Sequence, residues 1–377
     1  MSGRQPVHLC FVALHIYPVL VRDSGVEFVG GAEVQQSVQI RALQRAGHRL
    51  SVLVGDHGQP DVVDCDGITL YKVPAPAGRG VRGLRFVYPR MTDITQRLRR
   101  IDPDIVFVQT AGEQVAAAAL YARLSRARLV FAGASDMDFV LGPLPGMPRQ
   151  HALIYRLGLK SADAVVVQNV AQQHLLKTHF KREGHLIENG YEEPGAKPGA
   201  FDGPVIWVAT VKPLKRPELF IELARRVPQR RFVMVGGPGV TPDAQDYFDR
   251  IAEQARAVPN LAMTGHVPYH RVGAWFDGAA LSVNTSAYEG FPNTFLQAWL
   301  RGIPTLSFVR PESAPGVTGT LACRHIEQMV KRLSGLCRHK AGWEHLGRAC
   351  KAHYTRYHTM ARAVERYESV FEQALSH

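Results

Sequence analysis

Cysteine is scarce and unpatterned in this chain. Cys10, Cys65, Cys323, Cys337 and Cys350 make an odd number with no Cys-x-x-Cys pair. That excludes a thiolate zinc motif and a disulfide framework, and it fits a reducing compartment. Long apolar runs are absent too. The stretch from Val7 to Leu14 is short and has only Arg4 before it, so it reads as a buried strand rather than a signal peptide. No run approaches the roughly 18 residues of a spanning helix. The expected location is cytoplasmic, including the inner face of the cell membrane. There is no GxxxxGK[ST] loop, no GxGxxG after the first strand and no HExxH. These gaps exclude the common nucleotide and metallohydrolase signatures, and neither a bound metal nor a cofactor is expected. Acid is in deficit: 33 Asp and Glu face 45 Lys and Arg, for a net charge of +12. Such an excess points to an anionic partner: nucleic acid, an acidic membrane surface or a phosphorylated small molecule. Four tryptophans and twelve tyrosines are not arrayed with the basic residues for base stacking, which argues against nucleic acid.

What is present is a long alternation of short apolar runs and amphipathic stretches. The 377 residues, 46% of them hydrophobic, supply two cores rather than one. Strands are expected at Val7–Leu14, Leu50–Val54, Ile105–Val108, Leu129–Phe131 and Ala164–Val167, with helices at Glu33–Ala46, Gln114–Leu124 and Val170–Phe180. Uninterrupted apolar strands mean that both faces of the sheet are covered, so the sheet is expected to be parallel. The pattern weakens between Gly190 and Pro204 and then resumes. Strands are expected at Val205–Ala209, Phe232–Val235, Leu261–Thr264, Leu281–Asn284 and Thr305–Phe308, with helices near Glu218–Arg226, Asp243–Ala257 and Thr294–Arg301. The expected architecture is α/β: two doubly wound, Rossmann-like domains (1–190 and 205–355), a linker (191–204) and a terminal helix (356–377). Ligands of such sheets bind beyond the carboxyl ends of the strands.

Three motifs sit at such ends. Gly30 and Gly31 precede a helix that carries Glu33 in its first turn; they are either a plain turn or a close approach to phosphate. Thr210-Val211-Lys212-Pro213-Leu214-Lys215-Arg216-Pro217 follows a strand and groups three cations. A diphosphate needs this, in the ground state and as charge grows on a leaving group. Glu289-Gly290-Phe291-Pro292-Asn293-Thr294-Phe295-Leu296-Gln297 again joins strand to helix. Gly290 permits a tight turn, Asn293 or Thr294 is placed to cap the helix, and Gln297 lies one turn farther on the same face. A carboxylate such as Glu289 beside a phosphate cradle makes sense if it holds hydroxyl groups, and sugar hydroxyls fit.

These motifs, in this order, resemble those of the family 4 retaining glycosyltransferases with the GT-B fold, and the likeness covers nearly the whole chain. The resemblance implies two Rossmann-like domains facing a cleft, with the last helix crossing back to the first domain. It implies that Lys212 and Lys215 hold the diphosphate of a nucleotide-sugar donor, helped by backbone N–H groups at Gly31, Phe291, Asn293 and Thr294, with Gly30, Gly290 and Pro292 in the same donor-binding loops. Glu289 would contact the donor sugar and Gln297 the ribose. Asn189-Gly190 matches the family's Asn-Gly before the second domain. The implied activity is metal-independent, retaining transfer to a hydroxyl acceptor, lipid-linked glycans included, in polysaccharide or glycolipid assembly. Two positions depart from the pattern. The family's second motif glutamate is Gln297 here. Where many relatives carry a first-domain histidine, this chain reads Phe131-Ala132-Gly133-Ala134-Ser135-Asp136. Asp136 is left either to orient an acceptor hydroxyl or to cap a turn. These departures keep a degenerate nucleotide-sugar-binding subunit open as the alternative.

Residues 78–100 carry seven arginines (79, 82, 85, 90, 97, 99 and 100) against the single acid Asp93. Phe86, Val87, Tyr88 and Met91 are interleaved. The segment is either a solvated face or a contact for anionic lipid. From Ala361 to Leu375 an apolar stripe of Val364, Tyr367, Val370, Phe371 and Leu375 marks a helix that packs by this face.

Overall fold

The computed structural model describes residues 5–22, 30–75, 86–142, 144, 147–289, 291–310 and 320–376. Two compact units emerge. The first comprises residues 1–21, 32–189 and 360–377; the second comprises 22–31 and 190–359.

The first unit is built on an eight-stranded sheet: β1 (His8–Val12), β2 (Arg49–Val54), β3 (Val62–Cys65), β4 (Ile68–Lys72), β5 (Ile105–Gln109), β6 (Arg128–Ala132), β7 (Ala164–Val167) and β8 (His185–Leu186). The spatial order is β3-β4-β2-β1-β5-β6-β7-β8. Pairing is parallel except between β3 and β4, which run antiparallel. The all-parallel expectation is therefore corrected at one edge. The chain there makes a hairpin over Asp66 and Gly67, both at positive φ. Its strands alternate in burial, so the solvated face masks their pattern in the sequence. Successive residues of β1 enter opposite cores. Leu9 and Phe11 join Leu50, Val52 and Phe107, whereas Cys10 and Val12 join Leu53, Val106 and Val108. Burial on both faces explains the uninterrupted apolar runs.

The helix Met360–Leu375 completes the first of these cores. Tyr367 and Phe371 meet the Phe107 ring at 5.7 and 6.5 Å between centroids. One member of the expected stripe is corrected: Leu375 is exposed, and Ala374 takes the inward place. The helix Thr92–Ile101 buries Ile94, Thr95, Leu98 and Ile101. Arg79, Arg82 and Arg85 lie outside the described residues. No helix among the described residues is long and apolar enough to cross a membrane.

The second unit holds β9 (Val205–Val208), β10 (Phe232–Val235), β11 (Leu261–Met263), β12 (Leu281–Asn284), β13 (Thr305–Ser307) and β14 (Thr320–Ala322). They form one parallel sheet in the order β11-β10-β9-β12-β13-β14. Residues 190–204 lie within this unit. Tyr191 is buried and pairs with Thr359, and Gly199 donates to the Arg301 carbonyl.

Candidate active site

Both sheets reverse their winding at one point. In the second unit the chain builds β10 and β11 on one side of β9 and then returns to lay β12 on the other. Such a switch point opens a crevice beyond the carboxyl ends of the two central strands. Lys212 and Lys215 follow β9, and Glu289 follows β12. Residues 74 positions apart thus meet: Lys215 Nζ is ion-paired and hydrogen-bonded to Glu289 Oε1. The same oxygen accepts from Ser286 Oγ at 2.6 Å and Asn284 Nδ2 at 3.2 Å.

The two loops are fastened to each other below this pair. Thr285 Oγ1 donates to the Lys215 carbonyl at 2.6 Å and accepts from Trp207 Nε1 at 2.9 Å. Ala287 N donates to the Leu214 carbonyl. Arg216 is spent on the scaffold. Its guanidinium donates to the Thr285 and Ser286 carbonyls at 2.7 and 2.9 Å and lies over the Phe308 ring. Of the three cations grouped in the sequence, two therefore remain for chemistry. Lys212 has no ion-pair partner among the described residues. Burial first, and the neighbouring Lys215 charge second, hold its ammonium below the ordinary lysine value, with Glu289 acting in the opposite sense. A partly desolvated cation without a counter-ion is a place for an anion.

Gly290 lies outside the described residues. The Phe291 ring packs, tilted, at 4.9 Å from the buried His358 ring. Pro292, not Asn293 or Thr294, occupies the cap position of the helix Asn293–Trp299, and no side chain caps it. That expectation is corrected because Asn293 is drawn elsewhere: its Nδ2 donates to the Gly31 carbonyl at 2.9 Å. Gly30 precedes this contact. Gln297 is buried, and its Nε2 donates to the Tyr191 hydroxyl at 3.1 Å. Burial pushes the Tyr191 hydroxyl up to about 12, so it keeps its proton.

In the first unit, Asp136 opens a short helical turn and accepts from Asn169 Nδ2 at 3.4 Å. The capping is done by Ser135 and Asp138. Asp138 escaped notice in the sequence. It is buried, and its carboxylate accepts from the N–H groups of Ala134, Ser135 and Ala111 at 2.7, 3.0 and 3.3 Å. Burial nevertheless keeps its carboxyl above the ordinary aspartate range. It shapes the loops after β5 and β6.

A cavity of about 360 Å³ lies beyond the carboxyl ends of β1 and β5, the switch point of the first sheet. Arg90 and Glu113 line it, together with His151. Glu113 sits between Arg90 Nε at 3.9 Å and His151 Nδ1 at 3.5 Å. Arg90 thus turns to a carboxylate, not outward as a lipid-binding residue. None of these roles was read from the sequence beforehand. The available signal was position: Gln109 ends the apolar strand β5, and Thr110 and Glu113 follow it.

Residues 30–190 match the glycosyl transferase 4-like domain, and residues 203–339 match the glycosyl transferases group 1 domain. The architecture is that of the GT-B glycosyltransferases. Sucrose-phosphate synthase from Thermosynechococcus elongatus superposes with a TM-score of 0.79 at 15% identity, over 99% of this chain and 100% of that one. HepE from Anabaena, solved with UDP, gives 0.69 at 15% identity, over 97% and 99%. The chain belongs to the glycosyltransferase 4-like, group 1 family. In sequence it is 24% identical over 300 residues to the Vi polysaccharide biosynthesis protein VipC/TviE of Salmonella typhi, covering 68% of this chain and 49% of that protein. It is 29% identical over 156 residues to a D-inositol 3-phosphate glycosyltransferase of Mycolicibacterium paratuberculosis, covering 40% and 35%. The matches thus span about half or less of these relatives' length.

Proposed function

We propose that this protein transfers a sugar, with retention of configuration, from a nucleoside-diphosphate sugar to a hydroxyl acceptor in polysaccharide or glycolipid assembly. The observation that carries this reading is the Lys215–Glu289 pair at the second switch point, with Lys212 unpaired beside it. Lys212 and Lys215 supply positive charge where the leaving diphosphate develops negative charge. Glu289, held by Ser286 and Asn284, offers its second carboxylate oxygen to sugar hydroxyls. Backbone N–H groups around Gly31 and in the first turn of Asn293–Trp299 add donors for the phosphates. The acceptor hydroxyl attacks from the side on which the diphosphate departs. Asp136 is a candidate to orient it.

The lysines do the work of a divalent cation, so turnover is expected to persist in EDTA. Released nucleoside diphosphate would be measured across a panel of UDP-, GDP- and ADP-sugars, with and without chelator. Loss of turnover with EDTA, restored by magnesium or manganese, overturns the metal-free part. Among the relatives, the Vi polysaccharide protein supports polysaccharide assembly, and HepE, solved with UDP-glucose, supports the donor class.

One observation favours a second reading, a nucleotide-sugar-binding subunit without catalysis: the Gln297 amide is committed to Tyr191. Binding of a nucleotide-sugar with no hydrolysis and no transfer would select it. Contact with the inner face of the membrane is proposed from the arginine-rich segment. Replacing Arg79, Arg82 and Arg85 by serine should reduce sedimentation with phosphatidylserine vesicles, at about 1 kcal/mol per residue. Equal sedimentation of parent and variant removes the idea.

A further inference from the structure

The cavity beyond β1 and β5 has a chemistry of its own. Its wall carries Gln109, the last residue of β5, which is only 4% exposed. Gln109 Oε1 is shielded from water and has no hydrogen-bond partner among the described residues. A buried amide oxygen left unpaired costs about 1–3 kcal/mol, and a turn of the Gln109 side chain that presents this oxygen to a ligand hydroxyl would remove that cost. The next residue, Thr110, is held at φ 74°. A β-branched residue in the left-handed region carries strain of about 1–3 kcal/mol, a condition that collects at ligand sites.

The charges on the wall narrow the ligand further. One arginine, Arg90, faces two glutamates, Glu33 and Glu113, and no lysine lines the cavity. Over Arg90, Glu33 and Glu113 alone, the negative side chains outnumber the positive by two to one. The arginine is, moreover, already turned to Glu113. A phosphate ester entering here would meet net negative charge with no free cation to pair with. An uncharged polyol would find two carboxylates and the Gln109 oxygen, all acceptors for its O–H groups. The volume lies within the span of about 300–1,000 Å³ typical of small-molecule sites.

We infer that this cavity binds an uncharged, hydroxyl-rich sugar residue of the acceptor, that it rejects phosphorylated acceptors, and that Gln109 is the residue that determines this specificity. The inference rests on the proposed function, because it names the chemistry of the acceptor in that reaction. Ligand binding, not turnover, therefore provides the test. The probes are the methyl glycosides of glucose, galactose and mannose, with glucose 6-phosphate and myo-inositol 1-phosphate as phosphorylated counterparts. Affinities are read by saturation-transfer NMR on the full chain with UDP present. At least one neutral glycoside is expected to bind at least tenfold more tightly than either phosphate. Gln109→Leu should weaken that glycoside about tenfold and leave UDP affinity unchanged. Glu33→Gln, at a half-exposed position that does not threaten folding, should raise affinity for the phosphates. Tighter binding of the phosphates, or indifference of glycoside binding to both substitutions, overturns the inference. If UDP binds normally but no glycoside does, this inference fails while the proposed transfer reaction stands. If none of UDP, GDP and ADP binds, it is the proposed function that falls.

Discussion

At the residue scale the proposed reaction divides labour between two side chains of the second unit that touch. Lys215 is placed to hold phosphate and Glu289 to hold sugar, and each also restrains the other. Lys215→Ala should weaken the nucleotide-sugar and the free nucleoside diphosphate alike, by roughly 1.5–3 kcal/mol for a charge-assisted, partly desolvated bond. Glu289→Ala releases Lys215 from its counter-ion. Nucleoside diphosphate binding should then hold or strengthen, while transfer falls because the sugar is no longer oriented. Calorimetry on both variants, with turnover in parallel, separates the roles; equal losses of diphosphate affinity would show that the division is wrong. Lys212 adds a pH signature. Its lowered value means that the free site loses this charge below the ordinary lysine range. A diphosphate prefers the protonated form, so affinity should be full at neutral pH and fall as pH climbs through that lowered value. Lys212→Arg, whose guanidinium stays charged, should carry full affinity to higher pH. An identical pH profile for both proteins would remove Lys212 from the phosphate site.

At the element scale, the short helix Asn293–Trp299 stands without a side-chain cap and depends on what holds its far end. Arg301, 3% exposed, is that anchor. Its guanidinium pairs with Glu193 and Asp277 at 2.7 Å each and donates to the Gln297 and Gly273 carbonyls. Arg301→Ala leaves two carboxylates facing each other without a cation and should cost about 3–5 kcal/mol. Arg301→Lys should recover only part, because a point charge cannot reproduce the fork. Chemical denaturation of both variants measures this, and a loss under 1 kcal/mol for the alanine would contradict the anchoring role. The elements also differ in how far the sequence betrayed them. Ala164–Val167 and Phe232–Val235 stand where the apolar runs stand, because burial on both faces favours apolar residues, whereas Leu281–Asn284 is as deeply buried yet carries Ser282 and Asn284. The hairpin strands Val62–Cys65 and Ile68–Lys72 carried no such mark, since one of their faces meets water. The helix Thr92–Ile101 was masked by its arginines, although Ile94, Leu98 and Ile101 keep helical spacing.

On the scale of the whole molecule, residues from both ends of the chain share one core. Phe11 and Phe107 come from the first third and Tyr367 and Phe371 from the last helix. Removing everything after Thr359 should therefore unfold the first unit, whose remaining core would stand open along one sheet face. Phe371→Ala, a milder change, should cost about 3–5 kcal/mol. Limited proteolysis would report the result: protection of the first unit in the truncated chain would show that the helix is dispensable.

The sequence alone determined the two doubly wound sheets and the family, and it put forward Lys212, Lys215 and Glu289 as candidates. These follow from local facts: apolar runs of strand length, and loops of charge and glycine at strand ends. It could not decide which of the three cations after β9 would be free. That depended on carbonyls at Thr285 and Ser286, some 70 residues away, which only the pairing of β9 with β12 brings near. It could not decide that Asn293 would turn to Gly31 rather than cap its own helix. Nor could it single out Gln109 from the chain's other glutamines. A hydrogen bond left unmade is a property of the space around a side chain, and that space exists only once the chain has folded.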